Sequence, residues 1–332
     1  GKRLAQIFDL NGSHAERIPS PSGGKKSREI PTRVGYGDEK NCYSLIRLPR
    51  ENLMMSFSSP APCCYPLCLA FALASASFAE TVAHWRFDED GFPAGTSAPA
   101  NADSFKDSSG KGNAMRRADG PQPNEYSSDV PAPEVPALGK TNELSLRLPV
   151  KGEWRDIFSS PVCEINSMEF KELTLEGAFK CESAGTFGGI LTKDGQPNPS
   201  SPYPFLQIAF AREDADPKNL GEHLVVQWTD GAGKERFLRS IAPLAKNRWY
   251  AFAVVVDKST ASLFLQSEPG KPYQLEQTVP VEGGALALGM GTWVVGRGFW
   301  ANKLDNPFHG WVDEIRISDQ ALPREKFLFA KP

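Results

Sequence analysis

From residue 81 onward, Val, Ile, Leu, Phe and Trp recur at alternate positions in short runs that stop at Gly, Pro, Asp or Asn. A period of two turns one side of the backbone inward and the other outward, which marks half-buried strands. The pattern predicts strands at 81–87, 143–148, 173–181, 187–192, 205–212, 223–229, 236–240, 249–257, 261–266, 293–298 and 310–318. In 173–181, Leu173, Leu175, Gly177 and Phe179 share one face, and Thr174, Glu176, Ala178 and Lys180 the other. Only 323–329 reads as a helix, short and opened by Pro323, a residue suited to a first turn. Many short strands without alternating helices point to an antiparallel sandwich or barrel. Stretches heavy in Pro, Ser, Asn or Gly at 91–106, 119–140 and 194–204 are its long loops, where function or mobility concentrates.

The first 79 residues follow another pattern. Positions 1–53 show no apolar periodicity and include Pro19-Ser20-Pro21-Ser22-Gly23-Gly24-Lys25-Lys26, with too little apolar surface to offset the entropy of ordering. They read as a disordered or untranslated lead-in. Met54-Met55 then precedes the apolar block Leu67-Cys68-Leu69-Ala70-Phe71-Ala72-Leu73-Ala74, which runs out into Ser75-Ala76-Ser77-Phe78-Ala79. An apolar block before small residues at Ser77 and Ala79 is the pattern of a secretory signal peptide over 54–79, too short for the ~20 apolar residues of a membrane span. The stretch after Met54 lacks Lys and Arg, and a buried core helix is the competing reading. On the signal-peptide reading, the mature part (80–330) has no membrane span and works outside the cell or in its envelope.

Charge and cysteine usage sharpen this picture. The chain is 40 % hydrophobic and 23 % charged with a net charge of −3, ample for a core and without the basic surface a nucleic acid would need. Residues 1–79 hold 10 of the 37 Lys and Arg but only 6 of the 40 Asp and Glu, so the remainder stands at −7. Cys42, Cys63, Cys64 and Cys68 leave with that segment, and Cys163 and Cys181 remain. In an oxidising compartment these two either form a disulfide or stay as buried thiols. Spacing does not decide between them, because a bridge needs Cα atoms within ~7 Å.

Three stretches, in order, resemble the LamG-like jelly-roll domain of the concanavalin A-like lectin/glucanase superfamily. The first is Ala83-His84-Trp85-Arg86-Phe87-Asp88-Glu89, leading to Asp107-Ser108-Ser109-Gly110-Lys111-Gly112-Asn113. The second comprises 170–180 and Trp249-Tyr250-Ala251-Phe252-Ala253-Val254-Val255-Val256-Asp257. The third and most specific is Phe308-His309-Gly310-Trp311-Val312-Asp313-Glu314-Ile315-Arg316-Ile317-Ser318. The resemblance implies an all-β, two-sheet antiparallel jelly roll over 80–330 with its first and last strands side by side. It also implies a structural Ca²⁺ where the first loop meets the last strand, with Asp107, Ser109, Asn113 and Asp313 as oxygen ligands. The residues themselves equally allow a plain Asx-type turn at 107–110, with Asp313 holding a backbone amide. Trp85, Trp249 and Trp311 read as core aromatics.

Some members of the superfamily carry catalytic carboxylates at alternate strand positions. The nearest match is Glu172-Leu173-Thr174-Leu175-Glu176. At ~3.3 Å per residue its two carboxylates stand ~13 Å apart, beyond the ~5–9.5 Å that glycoside hydrolysis uses. Glu176 therefore reads as a solvent-facing residue. His84, His223 and His309 form no metal-type cluster, and no GxSxG elbow is present. Ligand recognition remains. Sugars are held by an aromatic face and planar polar groups on loops over a rigid scaffold. Phe299, Trp300, Asn302, Asp305 and Asn306 offer these together, and Trp154 beside Arg155 and Asp156 is a second place. The competing reading makes Trp300 an anchor folded onto the sheet. The expected function is a secreted, non-catalytic module that binds carbohydrate or another extracellular surface. A glucanase-type hydrolase and a protein-interaction module are the rivals.

Overall fold

The computed structural model describes residues 80–89, 92–99, 103–117, 124–148, 157–182, 187–212, 222–268 and 270–331. The lead-in, the signal peptide and Trp154 lie outside the described residues. The strands, in chain order, are β1 (Thr81–Trp85), β2 (Met115–Arg117), β3 (Glu125–Ser127), β4 (Glu134–Val135), β5 (Lys140–Thr141), β6 (Ser145–Leu148) and β7 (Ile157–Ser159). They continue with β8 (Leu173–Cys181), β9 (Gly188–Lys193), β10 (Leu206–Arg212), β11 (Glu222–Thr229), β12 (Glu235–Arg239) and β13 (Trp249–Val256). The last are β14 (Thr260–Gln266), β15 (Gln274–Pro280), β16 (Trp293–Val295), β17 (Arg297–Trp300), β18 (Lys303–Pro307) and β19 (Gly310–Ser318).

Two sheets stack as a sandwich. The first runs β15-β14-β13-β8-β19-β6-β3, and β1 also pairs with β19. The second runs β12-β11-β10-β9-β16-β7-β2, with the β17–β18 hairpin attached to β9. First and last strands are antiparallel neighbours, His84 opposite Arg316 and Trp85 opposite Ile315. This closes the chain on itself and covers sheet edge that would otherwise invite pairing with other chains. The alternation in β8 holds: Leu173, Leu175 and Phe179 enter the core between the sheets. There Phe179 meets Phe210 of the second sheet at 5.9 Å between ring centroids. Gly177 has no room for a side chain, since a Cβ would lie 2.4 Å from Ile315 Cδ1.

The sequence reading needs correction at several points. Of the three tryptophans, only Trp85 is a core residue. Trp249 and Trp311 flank Lys180 on the outer face of the first sheet, where they are half-buried. Their indole N–H groups donate to Asp129 Oδ1 (2.8 Å) and Ser127 Oγ (3.0 Å). Residues 323–329 do not form an α-helix; a single 3-10 turn covers Arg324–Lys326. The following Phe327, Leu328 and Phe329 are used for covering instead. Together with Val135 of β4 they bury Ala178, Ala251 and Ala253 under a second apolar cluster. Glu176 does not face solvent. It is fully buried, accepting from Arg316 Nε at 2.7 Å and Leu328 N–H at 2.7 Å. The outer face of the first sheet is therefore closed along its middle. β15 was not foreseen, because its Gln-Leu-Glu-Gln-Thr-Val-Pro run is a mostly polar edge strand that carries little period-two signal of its own.

Candidate functional site

The outer face of the second sheet is built differently. In β10 and β11, Leu206, Ile208, Phe210, Leu224, Val226 and Trp228 point into the core. Period two then sends Gln207 and Gln227 outward. Register places Gln207 opposite Gln227, and Gln227 opposite Phe237 of β12. A row of two carboxamides and an aromatic ring thus crosses three adjacent strands.

The β17–β18 hairpin lies on this face beside the row. Two glycines permit the approach. A Cβ on Gly189 of β9 would come within 2.3 Å of the Arg297 backbone, and one on Gly298 within 2.9 Å of Gln207 Oε1. Arg297 is 4 % exposed and forks onto Asp194 with two 2.8 Å bonds, a paired geometry that fixes direction as well as distance. Thr192 Oγ donates to Arg297 O (2.8 Å), and Phe299 N–H donates to Gln207 Oε1 (3.1 Å). Trp300 pairs with Lys303 across a two-residue turn whose Ala301 and Asn302 have φ of 48° and 60°. Both residues positive is the type I′ geometry that suits a twisted hairpin. A left-handed Ala costs roughly 1–2 kcal/mol. Its N–H is anchored to Pro202 O at 2.8 Å, which holds the tip against the next residue, Tyr203. Trp300 meets Tyr203 edge to face, centroids 5.1 Å apart at 84°. Trp300 keeps 38 % of its surface exposed. Burial, and then the negative charge of Glu235, push the Tyr203 phenol upward, so it stays a neutral hydroxyl.

The predicted ligand residues divide. Trp300 is at the site and Asn302 is exposed in its turn. Phe299 turns in and is 7 % exposed. Asp305 and Asn306 hydrogen-bond each other (2.8 and 3.1 Å). Tyr203, Gln207, Gln227 and Phe237 were missed, although a Gln interrupting Phe205-Leu206-Gln207-Ile208-Ala209-Phe210 and another in Val225-Val226-Gln227-Trp228 sit where period two points outward.

The four residues proposed for calcium do not fit a metal centre. Both Asp107 oxygens are taken by donors: His84 N–H and Ser109 N–H on Oδ1, Ser109 O–H and Asn113 N–H on Oδ2. A carboxylate ringed by hydrogen-bond donors is an Asx-type turn organiser. Asn113 Nδ2 donates to Val82 O, and its Oδ1 accepts from Ile165 N–H. Asp313 lies elsewhere, on β19, where Asn142 Nδ2 donates to it at 2.9 Å. Burial and the adjacent Glu314 carboxylate push the Asp313 acid well above the usual range. Among the described residues, no group of three or more His, Cys, Asp or Glu side chains is placed to hold a metal ion. Cys163 and Cys181 are not bridged. Cys163 Sγ points at the carbonyls of Gly112 and Ala114, 3.6 Å from each, while Cys181 ends β8 opposite Gly310.

A cleft of about 680 Å³ at one end of the sandwich is lined by Arg86, Asp88, Glu89 and Phe92 among others. Two of its charges, Arg86 and Asp88, are consumed internally. Arg86 binds Glu314, Asp88 and Thr141 O, and Asp88 accepts from Glu143 and Leu144 N–H.

The folded part is thus an antiparallel jelly-roll sandwich of lectin type. Residues 163–326 match the Laminin_G_3 family model of the concanavalin A-like lectin/glucanases superfamily. No curated protein matches the chain. Among solved structures, it is similar to domain 4 of AbnA, a GH43 extracellular arabinanase from Geobacillus stearothermophilus, in complex with arabinotriose. There the identity is 16 % and the TM-score 0.47, over 75 % of this chain and 96 % of that one. The binding domain of Botulinum Neurotoxin DC in complex with SialylT gives 10 % and 0.46, over 74 % of this chain and 49 % of that one. The Ruminococcus gnavus IT-sialidase CBM40 bound to alpha2,3 sialyllactose gives 13 % and 0.39, over 49 % and 84 %. Likenesses this distant assign no ligand.

Proposed function

We propose that this chain is a secreted or envelope-located, non-catalytic module that binds carbohydrate on the outer face of its second sheet, at Trp300 and Tyr203. One observation carries the reading: a tryptophan left 38 % exposed at the tip of a hairpin that is clamped at its base and tied at its turn. An exposed ring on a rigid support offers its electron-rich face to the C–H groups of a sugar ring. Pre-ordering the support lowers the entropy cost of binding. Export is supported by the apolar block and small residues of 54–79. Binding rather than hydrolysis is supported by Glu176, whose carboxylate is committed to Arg316 and the Leu328 N–H.

The test is retention of the full chain on a panel of insoluble and gel-embedded neutral and acidic polysaccharides. Trp300→Ala should lose retention on whichever member holds the wild type, with the thermal midpoint unchanged. Unaltered retention would end the proposal.

A further inference from the structure

We infer that the ligand face continues from Trp300 and Tyr203 across Gln207 and Gln227 to Phe237, so that the module takes an internal stretch of a glycan chain. This rests on the carbohydrate-binding reading of the same face.

Two observations beyond the Trp300 platform carry it. The first is hydrogen-bonding capacity left open on the floor. Gln227 is 8 % exposed, yet its carboxamide makes no hydrogen bond with protein. Its polar atoms are not sealed from solvent either. Beside it, Gln207 uses Oε1 for the Phe299 N–H and leaves its NH2 group unclaimed. Carboxamides that are nine-tenths buried normally find partners within the protein. A carboxamide offers a donor and an acceptor in one plane, matched to the hydroxyl groups of a sugar. The second observation is another aromatic ring at the far end of the row. Phe237 is 43 % exposed and sits opposite Gln227. Leu238 next to it is in the core, so period two turns Phe237 to the same outer face. With strands about 4.8 Å apart, β10 to β12 alone covers roughly 10 Å. A ligand reaching from the hairpin to Phe237 is therefore longer than the span of one ring. Aromatic ends with amides between them are the arrangement that grips a chain along its length.

The experiment measures affinity of the full chain for soluble oligosaccharides of increasing length, cut from the polysaccharide that retains the wild type. Affinity should climb with length and then level off. Phe237→Ser and Gln227→Leu should each weaken the longest oligosaccharide roughly tenfold, the loss of about one good contact. Both should bind the shortest one as the wild type does. Phe237→Ser alters an exposed position, so its thermal midpoint should not move and the test survives even if Gln227→Leu folds poorly. Equal affinity at every length, or wild-type affinity of Phe237→Ser for the longest oligosaccharide, overturns the extended face and leaves the Trp300 platform standing. Undiminished retention of Trp300→Ala, or no retention by any polysaccharide, overturns the carbohydrate reading itself and this inference with it.

Discussion

The two outer faces of the sandwich start from the same strand pattern and end differently. On the first sheet, the hairpin of β4 and β5 and the tail at 327–329 lie over Ala178, Ala251 and Ala253, small residues that leave room for a cover. The charge under that cover, Glu176, is matched by Arg316. On the second sheet, among the described residues, a hairpin covers β9 and the near side of β10, and the row beside it carries two largely buried amides and an exposed ring. A face sealed by its own chain adds stability and cannot meet a partner. A face half-covered by a braced hairpin gives up apolar burial and keeps a surface for recognition.

This contrast predicts effects of graded size. The largest should come from the closed face. Arg316→Ala leaves the fully buried Glu176 without its counter-ion, and removing one partner of such a pair costs about 3–5 kcal/mol. Chemical denaturation should show that loss, and a change below about 1 kcal/mol would mean the cover is not held by this pair. Lys193, beneath the second sheet, gives the next. Its ammonium donates to the carbonyls of Asn166 (2.7 Å) and Gly291 (3.1 Å) and lies over the Phe205 and Trp293 rings, and burial lowers its pKa from 10.5 to about 8. Between these values the unfolded chain holds the proton and the folded chain releases it, so stability rises as the pH is raised from 8 toward 10.5. The gain is about 3 kcal/mol and should vanish in Lys193→Met. A flat profile for the wild type would show that the carbonyls compensate the charge in full.

Smaller effects come from the open face. Trp300→Ala should shift unfolding by no more than about 0.5 kcal/mol, as surface changes do, while glycan retention is lost. A larger shift would make the indole a structural anchor and return the open face to the status of the closed one. The smallest response is expected from calcium. Because Asp107 is saturated by donors and Asp313 lies apart from it, millimolar Ca²⁺ and chelator should leave the thermal midpoint unchanged. A rise with Ca²⁺ would show that donors around Asp107 reorganise to admit the ion.

Much of the scaffold was legible in advance. Period two located β8, β10, β11, β13, β14 and β19, and the order of the motif stretches anticipated β1 beside β19. Trp300 was readable as a candidate because an aromatic side chain stands there among Asn and Asp residues. Tyr203, Gln227 and Phe237 were not, because they lie in three separate segments that only the pairing of β10, β11 and β12, with the hairpin beside β10, brings onto one face. Trp249 and Trp311 were misplaced for a related reason. A Trp in an apolar strand looks like core, and the side it occupies depends on which neighbours point inward.

Local chemistry was enough to specify most of the strands and their turns, since alternation and turn residues act over a few positions, and the resemblance implied the closure of first strand on last. Which face is sealed, which tryptophan meets solvent and which carboxylate is buried were settled only by the fold. Burial is a property of whatever chain arrives from elsewhere, and here that chain was a Pro-rich hairpin and a tail on one side and a clamped β-hairpin on the other.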